Sequence, residues 1–127
     1  MSRVTVLLVE DNPRNLKLAR DVLEFAGLSV VAVTTGEEAL AALERGCPDV
    51  VLMDLQLPGI DGHATLSRLR EDPRTADVPV VAVSALAMAA DRSRALDAGF
   101  DGFIEKPISV RDFPEQVLLH ARRGGGR

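Results

Sequence analysis

Aromatic side chains are scarce in this sequence: four phenylalanines account for the 3% of aromatic residues, and tyrosine and tryptophan are absent. A platform for single-stranded nucleic acid stacks the bases on aromatic rings, so this scarcity argues against that class of protein. The net charge of −4 argues against sequence-independent nucleic-acid binding, which needs a basic surface for the phosphates. We therefore expect an aliphatic core and no nucleic-acid partner.

Cysteine and long apolar segments are also scarce. Cys47 is the one cysteine, so no internal disulfide can form and a reducing compartment is favoured. The apolar runs are far shorter than the roughly 20 residues that a membrane-spanning helix needs. No secretory signal pattern is visible at the start of the chain. These absences predict a cytoplasmic protein without a membrane partner.

The 127 residues, 46% of them hydrophobic, are enough for one domain with a proper core. We expect that domain to cover residues 1–122, followed by a flexible tail at residues 123–127. Five aliphatic segments predict strands: Val4–Val9, Leu28–Val33, Val50–Met53, Val80–Val83 and Gly102–Ile104. The first four scarcely alternate between apolar and polar residues, which is typical of parallel strands buried on both faces.

Helical patterns lie between these segments. Their predicted N-caps are Asn12, Thr35 (in a capping box with Glu38), Asp61 and Ser109, and a further helix is expected from about Ala87 to Ala98. Pro114 falls past the first turn of a helix that starts at Ser109 and extends to about Arg122. That helix must therefore begin nearer Asp112 or have a distorted first turn. Strands that alternate with helices predict an α/β fold, a (βα)5 doubly wound, five-stranded parallel sheet.

Polar and charged residues stand where the predicted strands end. Strand 1 runs into Glu10 and Asp11, strand 3 ends at Asp54, strand 4 at Ser84, and strand 5 at Lys106. In doubly wound sheets, ligands bind at the carboxyl ends of the strands. Three carboxylates, a hydroxyl and an ammonium group are therefore predicted to meet at one edge of the sheet.

The segments "LLVEDN", "VVLMDLQLPGIDG", "VPVVAVSA" and "GFIEKPIS" resemble the response-regulator receiver domains of two-component signalling. The resemblance covers Val4 to about Arg122 and is strongest to single-domain regulators of the DivK type. Receiver modules of hybrid kinases have similar motifs. It implies the flavodoxin-like receiver fold with strand order 2-1-3-4-5.

A magnesium site follows from the same residues. A hard divalent cation prefers oxygen ligands, and clustered carboxylates that repel one another become favourable when such an ion binds. The resemblance implies that Asp11, Asp54 and the backbone carbonyl of Gln56 bind Mg²⁺, and that Glu10 acts through a metal-bound water.

The resemblance also implies that Asp54 is the phosphoacceptor, that Lys106 pairs with Asp54 and then with a phosphoryl oxygen, and that Ser84 donates its hydroxyl to another. It implies a cis Lys106–Pro107 bond and a switch role for Phe103, which moves when Ser84 is drawn inward. Pro58 and Gly59 shape the loop after Asp54.

The implied donor is a histidine kinase or phosphotransfer protein, and the implied output is a protein bound at the face of helix 4, strand 5 and helix 5. We expect a stand-alone regulator that is no enzyme beyond its own phosphorylation and dephosphorylation. The alternative is a receiver module cut from a hybrid histidine kinase or larger regulator.

Two other classes of protein are less favoured. A haloacid-dehalogenase-type phosphatase would have a second aspartate at the position of Gln56. A flavin carrier would bind phosphate where Glu10 and Asp11 would repel it. His63 and His120 are expected to be solvated and receive no role.

Overall fold

The computed structural model of the protein describes residues 3–57, 59–85 and 89–125, with side chains described as far as residue 121. The elements in chain order are β1 (Thr5–Val9), α1 (Pro13–Phe25), β2 (Ser29–Val33), α2 (Gly36–Glu44), β3 (Val50–Asp54), α3 (Gly62–Glu71), β4 (Val80–Ser84), α4 (Ala89–Ala98), β5 (Gly102–Glu105) and α5 (Phe113–Gly125). The alternation of strands with helices confirms the predicted (βα)5 pattern.

The strands form a parallel sheet in the order β2-β1-β3-β4-β5, which confirms the predicted fold and strand order. On β1, Leu7 pairs with Val31 of the edge strand β2 on one side and with Val51 of the central strand β3 on the other. All strands run in the same direction, so their carboxyl ends meet at one edge. The switch in strand order lies between β1 and β3, where strand 1 has neighbours from both halves of the fold.

Helices cover both faces of the sheet. Val6 and Leu8 of β1 pack with α1 and α5, against side chains that include Leu23 and Phe113. Leu7 and Val9 of the same strand point to the other face, where α2, α3 and α4 pack. Each fully buried aliphatic side chain of this kind contributes about 1.5–3 kcal/mol. Burial on both faces explains why the sequences of β1, β3 and β4 do not alternate. The same prediction is wrong for β2, an edge strand in which Ser29 and Val31 are exposed.

Two predicted helix caps are observed as expected. The Asn12 side chain accepts hydrogen bonds from the Arg14 and Asn15 amides at the start of α1, and Asp61 accepts one from Ala64 at the start of α3. A cap of this type is worth about 1 kcal/mol.

The predicted capping box of α2 is only half correct. Thr35 Oγ1 accepts from the Glu38 amide at 3.0 Å, as expected. The Glu38 carboxylate, however, accepts from the amide and hydroxyl of Thr34, both at 2.8 Å, instead of from the amide of Thr35. The box therefore closes one residue earlier than predicted.

The predicted start of α5 at Ser109 is wrong. The Ser109 hydroxyl accepts from the Asp112 amide and its carbonyl accepts from the Phe113 amide, so Ser109 closes a turn that precedes the helix. The helix begins at Phe113 and has Pro114 as its second residue. A proline there is tolerated because the first amides of a helix have no intrahelical partner. The alternative of a later start is thus the correct one.

Some predictions concern residues outside the described ranges. Ala87, the expected start of helix 4, and Pro58 are among them, and α4 is described from Ala89. Helix α5 continues to Gly125, and residues 126 and 127 are not described, so the flexible tail stays a prediction. No helix within the described part of the chain has the length and apolar character that crossing a membrane requires.

Candidate phosphoacceptor and metal site

The carboxyl ends of four strands bring the predicted site residues to one edge of the sheet. Glu10 directly follows β1, Asp54 is the last residue of β3, Ser84 the last of β4, and Lys106 directly follows β5. The strands β3, β4 and β5 are hydrogen-bonded neighbours, with Asp54 beside Val83 and Ser84 beside Glu105. The side chains of Glu10, Asp54 and Ser84 are all buried.

Lys106 joins two of the carboxylates. Its ammonium donates to Asp54 Oδ2 at 2.8 Å and to Glu10 Oε1 at 2.5 Å. The contact with Asp54 is the pairing that the resemblance implies. The contact with Glu10 was missed, because Glu10 was expected to act through a metal-bound water. Glu10 follows β1, directly beside β3, whereas Lys106 follows β5, two strands from β3 on the other side. Only the packing of the sheet edge reveals that the lysine side chain reaches Glu10.

The three acidic side chains form a compact oxygen cluster. One carboxylate oxygen from each of Glu10, Asp11 and Asp54 lies within 4.8 Å of the others. Asp11 is exposed, whereas the other two are buried, so Asp11 lies on the solvent side of the cluster. A set of clustered carboxylate oxygens with an open side is the donor set that Mg²⁺ prefers, since this ion keeps several of its waters.

The buried carboxylates already accept hydrogen bonds on each oxygen. Asp54 Oδ1 accepts from the Gln56 amide at 2.9 Å, and Glu10 Oε2 accepts from the Asn12 amide at 3.1 Å. A carboxylate oxygen has about two acceptor positions, so each can still bind a cation. These bonds hold both carboxylates in fixed orientations. The proposed ligation by the Gln56 carbonyl stays a prediction.

The backbone around the site has two special features. The Lys106–Pro107 peptide bond is cis, as the resemblance implies. Gly59, in the loop after Asp54, has φ +73°, a left-handed conformation that glycine adopts without strain. A Cβ at this position would also lie 2.9 Å from a Glu37 carboxylate oxygen. Gly59 therefore shapes the loop through its positive φ.

The charges of the site affect one another. Burial raises the pKa of Glu10, against the opposing effect of the Lys106 ammonium, and the nearby Asp54 carboxylate adds to the increase. Burial alone would lower the pKa of Lys106, but its hydrogen bonds to Asp54 and Glu10 outweigh burial, so that this pKa is raised. The lysine is therefore held in its charged form, while burial disfavours the ionised form of Glu10.

A cavity gives access to the buried phosphoacceptor candidate. It has a volume of about 240 Å³ and lies between the sheet, α1 and the segment that leads into α5. Glu10, Asp54 and Lys106 line it together with aliphatic side chains such as Leu52 and Ile108. Asp54 is thus shielded from bulk water but can be reached from the α1–α5 side.

Ser84 and Phe103 project from the same face of the sheet. Ala82 pairs with Phe103 and Ser84 with Glu105, and alternate residues of a strand share a face. The Phe103 ring is half-buried and packs against the core on the side of α2, α3 and α4. Arg92 of α4 lies over this ring, with its guanidinium carbon 5.3 Å from the ring centroid. Sequence reasoning missed Arg92, because α4 has too few large apolar residues to fix its rotation.

The expectation that both histidines are solvated is wrong. His63 on α3 is half-buried and stands edge-on to Phe100, with the ring centroids 5.4 Å apart. His120 on α5 is also half-buried and packs against Gly102 of β5, where any Cβ would overlap its ring. A glycine opposite a helix is the signal that would have indicated a bulky neighbour. Neither histidine reaches the carboxylate cluster.

An open parallel α/β sheet with clustered carboxylates and a lysine at its carboxyl edge defines a class of protein that can bind a metal ion and an anion there. The family model for the response regulator receiver domain matches residues 6–118. The chain belongs to this family, the receiver domains of two-component signalling.

Individual proteins support the assignment. The polar-differentiation response regulator DivK of Brucella ovis is 40% identical over 113 residues, which cover 89% of this chain and 92% of that protein. A CheY-like receiver domain from Methanospirillum hungatei has a TM-score of 0.87 at 26% identity and 98% coverage of both chains. The receiver domain of sensor histidine kinase PA1611 from Pseudomonas aeruginosa has a TM-score of 0.86 at 31% identity, covering 94% of this chain and 98% of its own. Its crystal structure contains magnesium in the active-site cleft.

Proposed function

We propose that this chain is a phosphoacceptor response regulator that takes a phosphoryl group from a phosphohistidine onto Asp54 and thereby changes its affinity for a protein partner. The observation that carries the proposal is the contact of Lys106 with both Glu10 and Asp54, beside the exposed carboxylate of Asp11. This arrangement combines a nucleophile, a cation for the transferred group and oxygen ligands for a divalent ion.

In the proposed transfer, a carboxylate oxygen of Asp54 forms a bond to phosphorus while the bond between phosphorus and the donor imidazole nitrogen breaks. The bonding electron pair stays with the imidazole. Such transfers depend on positioning and charge neutralisation more than on covalent assistance. Lys106, now shared between two carboxylates, would turn to a phosphoryl oxygen, and Ser84 would donate its hydroxyl to another.

Mg²⁺ fits the donor set and would supply positive charge beside the transferred group. Asp11 and Asp54 would bind it, with the Gln56 carbonyl, while Glu10 would act through a water. Glu10 would also keep Lys106 in place before transfer. The cavity between α1 and α5 leaves Asp54 open to the donor side chain.

A movement of the Phe103 ring would transmit phosphorylation to the partner-binding surface. Ser84 and Phe103 share a face of the sheet, so a shift of the hydroxyl towards a phosphoryl group changes the space beside the ring. The surface formed by α4, β5 and α5, which exposes Leu96 and Leu119, would then bind a downstream protein with altered affinity. We propose a cytoplasmic setting, a histidine kinase or phosphotransfer protein as donor, and no enzymatic turnover beyond the aspartyl phosphate itself.

A second possibility is that the chain works as the receiver module of a hybrid histidine kinase or a larger regulator. The specific support is its likeness to the receiver domain of the sensor kinase PA1611, which is 31% identical. The stand-alone reading is supported by its match to 92% of the length of the DivK regulator from Brucella ovis. Both possibilities use the same site chemistry.

The test is phosphorylation by acetyl phosphate in the presence of Mg²⁺, followed by intact-mass measurement. We expect wild type to gain one phosphoryl group and Asp54→Asn to gain none. Asp61→Asn is the matched control, since Asp61 is exposed, caps α3, and is seven residues further along the chain. Phosphorylation of Asp54→Asn, or loss of phosphorylation in Asp61→Asn, would overturn the assignment of Asp54.

A further inference from the structure

Arg92 has a contact that the proposed chemistry does not use. Its guanidinium lies over the half-buried ring of Phe103, 5.3 Å from the centroid. The neighbouring cation Arg94 is 3.8 Å from the Asp91 carboxylate. Among the described residues, Arg92 has no carboxylate within ion-pair distance. The face of the Phe103 ring is therefore the contact that orients its guanidinium. Such cation–π contacts favour the conformation in which ring and guanidinium meet.

The position of the ring gives this contact its significance. Phe103 has Ser84 on the same face of the neighbouring strand, towards the carboxylate edge of the sheet. Arg92 lies over the ring from α4. The guanidinium and the ring are carried by different elements, so we expect a ring that moves towards Ser84 to lose its contact with Arg92. The contact would then be present in one arrangement of the ring and absent in the other.

We propose that Arg92 is a positioning residue that holds Phe103 in the conformation of the unphosphorylated protein and so sets the balance between the resting and activated states. This inference rests on the proposed function, because it requires that a phosphoryl group at Asp54 moves the ring. The contact opposes activation. Losing it shifts the equilibrium towards the activated state and, by linkage, tightens the binding of any ligand that favours that state.

The expected size follows from the strength of the contact. A cation–π pair at a partly exposed site corresponds to roughly a two- to fivefold change in an equilibrium constant. Beryllofluoride with Mg²⁺ is a suitable probe because it is a tetrahedral mimic of a phosphoryl group on a carboxylate and binds reversibly. We expect Arg92→Gln to bind beryllofluoride roughly two- to fivefold more tightly than wild type in titration calorimetry.

Three comparisons separate positioning from a general charge effect. Arg94→Gln removes the same charge two residues away, from a side chain that is 71% exposed, and should leave the affinity unchanged. Arg92→Lys keeps a cation and should retain part of the wild-type behaviour. In a Phe103→Leu background, Arg92→Gln should have no further effect, since the ring is missing.

A spectroscopic measurement follows the contact directly. The side-chain protons of Arg92 should be shifted upfield by the ring in the free protein, and this shift should disappear in Phe103→Leu and in wild type saturated with beryllofluoride. Equal effects of Arg92→Gln and Arg94→Gln, an effect that persists in Phe103→Leu, or a shift that survives saturation would each overturn the inference. If wild type itself binds no beryllofluoride and gains no phosphoryl group, the proposed function fails. This result differs from a failure of the inference alone, in which wild type still binds beryllofluoride.

Discussion

The Lys106 ammonium donates to Asp54 at 2.8 Å and so connects the end of β3 to the residue that follows β5, two strands away. The same ammonium contacts Glu10, and the lysine side chain is only 17% exposed. Lys106 is therefore a cation that compensates two buried carboxylates. Removing one member of such a set leaves uncompensated charge in a partly buried position.

We expect Lys106→Met to lower the free energy of unfolding by about 2–3 kcal/mol in metal-free buffer. Urea denaturation in the presence of EDTA measures this loss. Lys17→Met is the control, because Lys17 is 77% exposed and pairs with Asp21 on the surface of α1. That change should stay within about 0.5 kcal/mol. Equal losses in the two variants would mean that Lys106 does not stabilise the carboxylates.

Asp11 should be needed for the response to metal but not for folding. Its carboxylate is exposed, so Asp11→Ala removes a like charge from the cluster without leaving a cavity. Mg²⁺ at ten times its dissociation constant should stabilise wild type by about 1.4 kcal/mol, and Asp11→Ala by less than half as much. Thermal melts with and without Mg²⁺ test this, with Asp21→Ala on α1 as the control. An unchanged response in Asp11→Ala would remove Asp11 from the site.

The pH dependence of stability should reveal the buried carboxyl of Glu10. Burial raises its pKa, so the folded protein binds this proton more tightly than the unfolded chain does. The resulting stability is fully present below the ordinary value of 4.5 and is lost as the pH rises through the folded pKa. Glu10→Gln imitates the protonated form. In EDTA, it should be more stable than wild type at pH 7, and the difference should shrink towards pH 4.5.

Urea denaturation of both proteins at several pH values between 4.5 and 7 measures that difference. Titrating groups away from the site are common to the two proteins and cancel. Mg²⁺ should reduce the advantage of Glu10→Gln at pH 7, since a divalent cation favours the ionised carboxylate. A difference that is constant across the range would show that Glu10 titrates normally.

The fold and much of the site could be predicted because strand ends are easy to locate. Aliphatic runs that scarcely alternate locate the first four strands, although only β1, β3 and β4 are buried on both faces, and the carboxyl ends of the strands form the ligand-binding edge. Asp54 and Lys106 were found in this way. The contact of Glu10 with Lys106 could not be found, since it depends on how far a side chain reaches across the sheet edge.

Other errors have local causes. Serine is a frequent cap, so the sequence favours Ser109 as the cap of α5, whereas Ser109 closes the preceding turn and Pro114 falls within the first helical turn. Arg92 was missed because α4 buries Ala95 and little else, so the sequence does not define which face meets β5. Histidine gives no periodic signal of its own, and the burial of His120 depends on the missing side chain of Gly102.

Arg70 should be a major contributor to stability at the opposite edge of the sheet. One nitrogen of its guanidinium donates to the carbonyls of Ala76 and Val78, at 2.9 and 2.6 Å. The other donates to Asp101 at 2.9 Å, and the same carboxylate oxygen accepts from the Val80 amide. A lysine ammonium cannot reproduce this planar set of donors. Arg70→Lys should therefore lower the free energy of unfolding by about 1–3 kcal/mol.

Hydrogen exchange at the Val80 amide gives a local measure, because its acceptor is the carboxylate that Arg70 holds. Arg74→Lys is the matched control: Arg74 is 64% exposed and pairs with the nearby Asp72. It should change stability by no more than about 0.5 kcal/mol and leave exchange at Val80 unaltered. Protection of Val80 that is the same in both variants would show that Arg70 is not needed to hold Asp101.

The packing of α5 on β5 should depend on the absence of a side chain at Gly102. A Cβ there would overlap the ring of His120, a half-buried residue, so Gly102→Ala alone should destabilise the protein by about 1–3 kcal/mol. His120→Ala removes the obstacle, and the double variant should be more stable than the sum of the single losses predicts, by at least about 0.5 kcal/mol. Leu119→Ala, next to His120 but exposed, should combine additively with Gly102→Ala. Urea denaturation of the five variants measures the coupling, and additivity of the His120 pair would mean that α5 is held on β5 by other contacts.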